Sequence, residues 1–272
     1  MRCTPRLTMR KAVPFITLIL PAYNEVAQIS ETIRKARRYF EKRQYRHEII
    51  VAADGDDGTR EVVREIAQTA TTVSVIGSSV RLGKGYGIRE AVKLAQGDFI
   101  GFADADDKTP IEELDKFLVH LLDDQDLVIG SRAERESRIE KPQPFHRRVG
   151  SKAFACVMHS VVGLRDIKDT QCGFKFFRSS VAQELFRHQR IDGYMFDVEI
   201  LYLARKMGYR IAQVPVLWRD DADSRLELFS GNLRNGIDLL RVPLLHRFGG
   251  SHAKRIPQMT PIESLSQEKR GR

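Results

Sequence analysis

The sequence has few cysteines and no long hydrophobic run. Its three cysteines, Cys3, Cys156 and Cys172, are odd in number and widely spaced. That spacing argues for a reducing compartment and against a disulfide framework or a zinc site. No apolar segment approaches the roughly 18 residues that a membrane-spanning helix needs, and neither a long apolar segment nor a small-residue cleavage site follows the basic N-terminus. We therefore expect neither a membrane span nor a secretory signal.

Acidic residues are outnumbered by basic ones, 36 against 45, which gives a formal net charge of +9. The basic residues collect in residues 1–11, 132–148 and 234–272. Nucleic acid, an anionic membrane surface and phosphorylated substrates are the partners that suit such a charge. The sequence contains no recognisable nucleic-acid motif, and aromatic residues do not interleave the basic stretches, so we expect no nucleic-acid partner.

Strand-length apolar runs alternate with helical patterns in the first half of the chain. This alternation predicts an α/β fold whose parallel sheet is covered by helices on both faces. The predicted strands there are residues 15–20, 47–53, 73–76, 99–102 and 127–129, and the predicted helices are 26–40, one ending at 67, one ending at 95, and 111–122. After a polar loop at 131–143, the pattern predicts helices at 145–162, 179–187 and 194–207, an extended stretch at 169–177 and a strand at 211–217.

We divide the chain into a basic arm (1–13), one folded domain (14–225), an amphipathic helical segment (226–250) and a disordered tail (251–272). The amphipathic segment has helical spacing with one break at Pro243, and its composition is typical of an interfacial helix on an anionic membrane surface. The same stripe could instead pack on the domain or pair two subunits as a homodimer. Its apolar residues are Leu226, Leu228, Phe229, Leu233, Ile237, Leu240 and Leu244, with Arg234, Arg241 and Arg247 beside them.

Two aspartates separated by one small residue, Asp104 and Asp106, follow the buried strand at 99–102. The period of two in an extended chain places both carboxylates on the same side, where they repel each other unless a cation lies between them. Mg²⁺ and Mn²⁺ prefer such oxygen ligands, and Mg²⁺ is commonly held by one or two carboxylates together with substrate phosphates. The pair therefore predicts a metal–diphosphate site at the sheet edge. The alternative is an acidic loop that caps the helix starting near Pro110.

Three other loops follow the first three predicted strands. In the first, Pro21 and Tyr23 offer apolar surface and Glu25 offers hydrogen bonds to a nucleoside; the alternative is a plain turn before a helix. In the second, the Asp54 carboxylate can accept the imide N–H of uracil, or the loop is an Asp/Gly turn that ends in a helix cap. In the third, Lys84 lies between two glycines at a helix start that favours phosphate, or the loop is a flexible connector.

These loops, in this order, resemble glycosyltransferase family 2, which has the GT-A fold. The later stretches resemble dolichyl-phosphate β-glucosyltransferases and other polyprenyl-phosphate glycosyltransferases, and the similarity covers about residues 14–245. The loop motifs are Pro21-Ala22-Tyr23-Asn24-Glu25, Asp54-Gly55-Asp56-Asp57-Gly58-Thr59, Gly83-Lys84-Gly85 and Asp104-Ala105-Asp106. The later stretches are Asp169-Thr170-Gln171-Cys172-Gly173-Phe174-Lys175-Phe176-Phe177, Phe196-Asp197-Val198-Glu199-Ile200, and Trp218 followed by Ser224-Arg225-Leu226.

The resemblance implies a mostly parallel, Rossmann-like sheet and an inverting, metal-dependent enzyme. It would move a hexose, with glucose from UDP-glucose as the first candidate, to a polyprenyl or dolichyl phosphate. The alternatives are another donor such as GDP-mannose or UDP-GlcNAc, a soluble acceptor, or a membrane-associated nucleotide-binding scaffold without activity. The implied cofactor is Mg²⁺ or Mn²⁺, and the implied location is cytoplasmic, peripherally associated with the inner face of the membrane.

The resemblance also assigns roles to individual residues. Asp104 and Asp106 match the metal ligands, and Arg132 with Arg147 or Arg148 matches basic residues directed at the lipid phosphate. Asp169 has two possible roles. It is an acidic active-site residue, or it simply caps or pairs with Lys175. One of the two carboxylates Asp197 and Glu199 is expected to face the site, because burying both without purpose is costly. Residues that match donor-binding positions are Pro21, Tyr23, Glu25, Asp54, Lys84, Asp104, Arg219, Ser224 and Arg225.

Overall fold

The computed structural model describes residues 13–134, 136–139, 162–219 and 232–247, and a seven-stranded sheet forms their centre. The strands are β1 (Phe15–Tyr23), β2 (Arg46–Asp54), β3 (Val73–Ile76), β4 (Phe99–Ala103), β5 (Leu127–Ser131), β6 (Arg138–Ile139), β7 (Phe174–Arg178), β8 (Ile211–Pro215) and β9 (Leu217–Trp218). The helices are α1 (Ile29–Arg43), α2 (Thr59–Thr69), α3 (Lys84–Leu94), α4 (Leu114–Leu122) after a 3₁₀ turn at Ile111–Glu113, α5 (Ser179–His188), α6 (Phe196–Lys206) and α7 (Asn232–Leu245).

The strand order in the large sheet is β3-β2-β1-β4-β7-β5-β8, and β6 pairs with β9 in a small separate sheet. Neighbouring strands of the large sheet run parallel except at β7, which is antiparallel to both β4 and β5. The prediction of a mostly parallel α/β sheet flanked by helices is therefore confirmed. The direction of β7 was not predictable, because hydrophobic periodicity carries no information on strand direction.

Two apolar cores lie on opposite faces of the sheet. Helices α1, α2 and α4 cover one face, and α3, α5, α6 and α7 cover the other. The register of β7 against β4 is fixed by a close contact: Gly101 lies opposite Phe176, and a Cβ at Gly101 would come within 2.1 Å of the Phe176 ring. A strand glycine is costly in conformational entropy, so its place here follows from this approach of an aromatic ring.

The chain deviates from the predicted boundaries at the first loop. Strand β1 continues through Pro21 to Tyr23, which lies opposite Asp54 of β2. Helix α1 begins at Ile29 rather than at Val26, because the Glu25 carbonyl accepts the N–H groups of Gln28 and Ile29 and forms a turn there.

The predicted break at Pro243 is wrong, since α7 contains Pro243 and continues to Leu245. Pro243 removes one intrahelical hydrogen bond, but only two helical residues follow it, and the buried side chains of Leu239 and Val242 hold the helix to the domain. Residues outside the described part of the chain include 1–12 of the predicted arm (1–13), most of the helix at 145–162, residues 226–231 and 248–250 of the predicted amphipathic segment, and the tail at 251–272. No helix in the described part of the chain has the length and apolarity that a membrane crossing demands.

Candidate active site

Asp104 and Asp106 follow β4 at the edge where the parallel strands end. The Asp104 N–H donates to the carbonyl of Gly173, with 3.1 Å between the nitrogen and the oxygen. A Cβ at Gly173 would lie 2.0 Å from Oδ2 of Asp104, so only glycine leaves room for this carboxylate. The loop before β7 therefore supports the predicted metal-binding loop from one side.

Each aspartate of the pair has a lysine beside it. Lys84 Nζ lies 2.6 Å from Asp104 Oδ1, and Lys108 Nζ lies 2.9 Å from Asp106 Oδ2. Burial, together with the charge of Asp104, raises the pKa of Asp106 above its ordinary value despite Lys108. Burial opposes the charge of Lys84, but the carboxylates of Asp104 and Asp197 outweigh it and raise the pKa of the lysine. Lys84, predicted as a phosphate ligand, therefore lies charged at the predicted metal-binding loop.

The pair has the chemistry that a divalent cation requires. Two neighbouring carboxylates repel each other, and the charge of Asp104 adds to burial in raising the pKa of Asp106, so a divalent cation between them would relieve the repulsion. Within the described residues, no cluster of three or more Asp, Glu, His or Cys side chains could hold a metal. A metal held by Asp104 and Asp106 would complete its shell with phosphate oxygens and water, as Mg²⁺ commonly does. The residues present thus fit a metal shared with a diphosphate.

A buried ion pair lies under this loop. Lys175 is fully buried, and its ammonium donates to Asp197 and to the Cys172 carbonyl, the latter at 2.8 Å. Burial raises the pKa of Asp197, against the opposing charges of Lys175 and Lys84. Asp197 is thus the member of the Asp197/Glu199 pair that lies next to the site. Burial also raises the pKa of the Cys172 thiol to about 12, as suits a packing residue.

Asp54 is buried and orders the loop that leads to Lys84. Its Oδ1 accepts the N–H of Ser78 at 3.2 Å, and its Oδ2 accepts those of Leu82 and Gly83 at 2.7 and 3.2 Å. The sequence predicted a contact with uracil, and that contact stays a prediction. The sequence did not predict this second role, because Asp54 and its three partners are 24 to 29 positions apart.

The first two loops are joined by hydrogen bonds. The N–H of Glu25 donates to Thr59 Oγ1 at 3.0 Å, and that of Val26 donates to Asp57 Oδ2 at 3.0 Å. Tyr23 points outward, and the Arg81 guanidinium lies over its ring with its Cζ 4.3 Å from the ring centroid. The sequence analysis did not identify Arg81 as a site residue. Its position directly before the loop that contains Lys84 could have indicated it. These contacts bring Tyr23, Glu25 and the predicted base-binding loop to one edge of the sheet.

Arg132, directly after β5, forms a two-pronged ion pair with Asp169. Its Nε donates to Asp169 Oδ2 at 2.7 Å and its Nη2 to Oδ1 at 2.9 Å, while its backbone N–H donates to Oδ2 at 2.9 Å. Trp218 lies beside the guanidinium, with 5.3 Å between Cζ and the ring centroid. Burial favours the neutral acid, but the charge and hydrogen bonds of Arg132 outweigh it and lower the pKa of Asp169. Asp169 is therefore ionised and weakly basic, and its partner is Arg132 rather than Lys175.

Of the remaining predicted arginine and serine residues, Arg219 is described by the structure and the others are not. The backbone N–H of Arg219 donates to the Lys108 carbonyl at 2.9 Å, which connects the end of β9 to the predicted metal-binding loop. Arg147, Arg148, Ser224 and Arg225 lie outside the described residues, so their roles stay predictions.

A family model and several curated proteins match this chain. Residues 17–186 match the family model described as Glycosyl transferase family 2. A dolichyl-phosphate beta-glucosyltransferase of Trichomonas vaginalis is 30% identical over 249 residues, which cover 86% of this chain and 75% of that protein. The Homo sapiens dolichyl-phosphate beta-glucosyltransferase is 32% identical over 248 residues, with 86% and 76% covered.

Solved structures show the same fold at low sequence identity. Mannosyl-3-phosphoglycerate synthase from Rubrobacter xylanophilus has a TM-score of 0.64 at 18% identity and covers 90% of this chain and 79% of its own. Glucosyl-3-phosphoglycerate synthase from Mycobacterium tuberculosis, solved with Mn²⁺, UDP and glucosyl-3-phosphoglycerate, has a TM-score of 0.59 at 20% identity and covers 84% and 79%. Because the family model covers more than half of the chain, including the strands β2 to β5, the chain belongs to glycosyl transferase family 2 and is a glycosyltransferase of the GT-A fold.

Proposed function

We propose that this enzyme transfers glucose from UDP-glucose to a polyprenyl phosphate, with inversion at the sugar carbon and with Mg²⁺ or Mn²⁺ as cofactor. The observation that carries the proposal is the Arg132–Asp169 pair near the metal-binding loop, because it supplies a cation for an anionic acceptor and a carboxylate of lowered basicity. The names of the relatives support the acceptor and the sugar. The neighbour solved with UDP and Mn²⁺ supports the donor and the metal.

The donor half of the proposed site is formed by the loops after β1 to β4. Tyr23, Glu25 and Asp54 would bind the nucleoside, and Asp104 and Asp106 would hold the metal on the diphosphate. Bound there, the metal would neutralise the diphosphate and stabilise it as leaving group. Lys84, at the first turn of α3, would bind a phosphate oxygen together with the N–H groups of that helix start.

The acceptor half of the proposed site is formed by Arg132, oriented by Asp169 and Trp218. A phosphate monoester carries roughly −1.5 to −2 charge at neutral pH, so it attacks without losing a proton to a base. It needs a cation that holds it in line with the sugar carbon. A hydroxyl acceptor would need a general base, and the lowered pKa of Asp169 makes this carboxylate poorly suited to that task.

Incubation with membranes, Mn²⁺ and a panel of labelled UDP-glucose, UDP-GlcNAc and GDP-mannose tests the proposal. We expect label from UDP-glucose in a product that extracts into organic solvent and that mild acid releases as glucose. The signal should disappear with EDTA and return with added Mn²⁺. Transfer from GDP-mannose or UDP-GlcNAc instead would contradict the donor assignment, and a product that stays in the aqueous phase would contradict the lipid acceptor.

We also propose that the outward face of α7 binds an anionic membrane surface. Leu239 and Val242 of this helix are buried in the domain, whereas Ile237, Leu240 and Leu244 are 48%, 55% and 62% exposed. Arg241 and Arg247 flank this apolar face and suit anionic headgroups. The face thus meets the requirements of an interfacial helix, and pairing of two subunits through it is the competing outcome.

Replacing Leu240 and Leu244 together by serine should weaken flotation with phosphatidylglycerol vesicles about tenfold or more, because each half-exposed leucine loses roughly 1 kcal/mol of apolar burial. Val119 and Leu122 of α4 are exposed on the opposite face of the sheet and provide the matched double serine control. Unchanged flotation of the α7 variant would refute the membrane contact. A dimer that this variant converts to a monomer would instead assign the face to subunit pairing.

A further inference from the structure

Glu199 is a fully buried carboxylate to which the proposed reaction gives no role. It lies on α6, and its side chain is 0% exposed. Asp197, two residues earlier, is the one that lies beside Lys84 and Lys175. A buried charge is tolerated only when its oxygens are hydrogen-bonded, so the partners of Glu199 indicate its purpose.

The Glu199 carboxylate joins three separate elements. Its Oε1 accepts the N–H of Arg190 at 2.8 Å, and its Oε2 accepts the N–H of Ile191 at 2.8 Å. Its Oε1 also lies 2.6 Å from Nε2 of His246, in the turn that follows α7. The Lys206 ammonium donates to the His246 carbonyl and strengthens the same junction. One carboxylate therefore holds the loop between α5 and α6 and the end of α7 to α6.

The loop that Glu199 holds is also in contact with the start of α3. A Cβ at Gly83 would lie 2.3 Å from the Asp192 carbonyl oxygen, and a Cβ at Gly85 would lie 2.6 Å from that of Ile191. The Tyr86 N–H donates to the Asp192 carbonyl at 3.2 Å. Arg89 forms an ion pair with the Asp192 carboxylate at 2.7 Å.

Lys84 lies between the two glycines that contact this loop and reaches Asp104. The backbone at residues 191–192 therefore packs against the start of α3 on both sides of Lys84. Hydrogen bonds join His246 to Glu199, Glu199 to the backbone of Ile191, and the neighbouring Asp192 carbonyl to the Tyr86 N–H at the start of α3.

We propose that Glu199 is a positioning residue that couples the docking of α7 to the binding of the donor diphosphate. Detachment of the His246 end of α7 would loosen residues 190–192, displace Lys84 and weaken donor binding. Coupling between two sites is reciprocal, so donor binding must in turn stabilise the end of α7. The inference rests on the proposed function in one respect, namely that the donor diphosphate binds at Lys84 and Asp104.

Calorimetric titration with UDP in the presence of Mn²⁺, with GDP in parallel, tests the coupling. We expect Glu199→Gln to raise the Kd for UDP about tenfold while one nucleotide still binds per chain, since the amide offers one acceptor oxygen in place of two. The titration is run at a temperature where a urea curve shows the variant fully folded, so a role in stability alone leaves the Kd unchanged. Glu184→Gln on α5 is the matched control, because Glu184 contacts Arg187 and His188 on the surface.

Hydrogen exchange of the wild-type protein keeps the test decisive if Glu199→Gln does not fold. UDP with Mn²⁺ should slow amide exchange at residues 190–192 and also in α7. Tight UDP binding that leaves exchange in α7 unchanged, or a folded Glu199→Gln variant with a wild-type Kd, would overturn the coupling. Wild-type protein that binds neither nucleotide would overturn the proposed function itself, and the coupling with it.

Discussion

Replacing Asp104 or Asp106 by asparagine should lower kcat/KM for sugar transfer by about a thousandfold, equivalent to roughly 4 kcal/mol of lost transition-state stabilisation. Asparagine keeps the shape of the side chain but not the charge that holds a divalent cation. In each variant one lysine, Lys84 or Lys108, loses the negative charge beside it, but the amide oxygen of asparagine can still accept its hydrogen bond. The fold should therefore survive both substitutions.

Turnover measured across a Mn²⁺ titration, together with thermal unfolding, checks this expectation. Asp124→Asn is a suitable control, because Asp124 is a 68% exposed aspartate remote from the site whose left-handed backbone asparagine also tolerates. The control should keep wild-type turnover and the same Mn²⁺ requirement. If both site variants did so as well, the assignment of the metal site would be wrong.

Replacing Arg132 by glutamine should lower kcat/KM for the lipid phosphate by about a hundredfold to a thousandfold, the range found when one preorganised transition-state contact is lost. Two effects act in the same direction. The acceptor loses its cation, and the buried carboxylate of Asp169 keeps only backbone N–H donors, so its uncompensated charge repels the incoming phosphate. The Kd for UDP should change little, because Arg132 lies after β5 and outside the donor loops.

The double variant Arg132→Gln/Asp169→Asn separates these two effects. It removes the ion pair without leaving an unpaired charge, so any loss that remains is the contribution of the arginine to acceptor binding. Asp169→Asn alone should be milder than loss of Asp104. Arg64→Gln on the exposed face of α2 controls for the loss of one positive charge.

The opposite pattern would point to a different acceptor. If Asp169→Asn abolished transfer while both substrates still bound, and Arg132→Gln stayed active, Asp169 would be a general base and the acceptor a hydroxyl compound. Arg147 and Arg148, predicted to act with Arg132, can be replaced together in the same assay. Their loss should affect the lipid phosphate and spare the nucleotide.

The sequence predicted those parts of the site that depend on the succession of strands and loops along the chain. Parallel strands end at a common edge, so polar loops after four successive strands had to converge, and the structure places Asp54, Lys84 and Asp104 there. Pairings across long separations could not be predicted. Asp169 binds Arg132 across 37 positions, and Glu199 reaches His246 across 47. Periodicity records which side of an element is buried, but not which distant side chain meets it.

The antiparallel strand β7 lies between the strands that lead to the proposed donor and acceptor halves of the site. Asp104 follows β4 and Arg132 follows β5, and β7 pairs with both, so the two strand ends are two interstrand spacings apart, roughly 9.5 Å. Gly173, at the start of β7, lies at the edge between them without a side chain. Backbone hydrogen bonds therefore determine this separation. If donor and acceptor bind as proposed, side-chain substitutions between Asp104 and Arg132 would change which sugar fits there without changing the distance between the two strand ends.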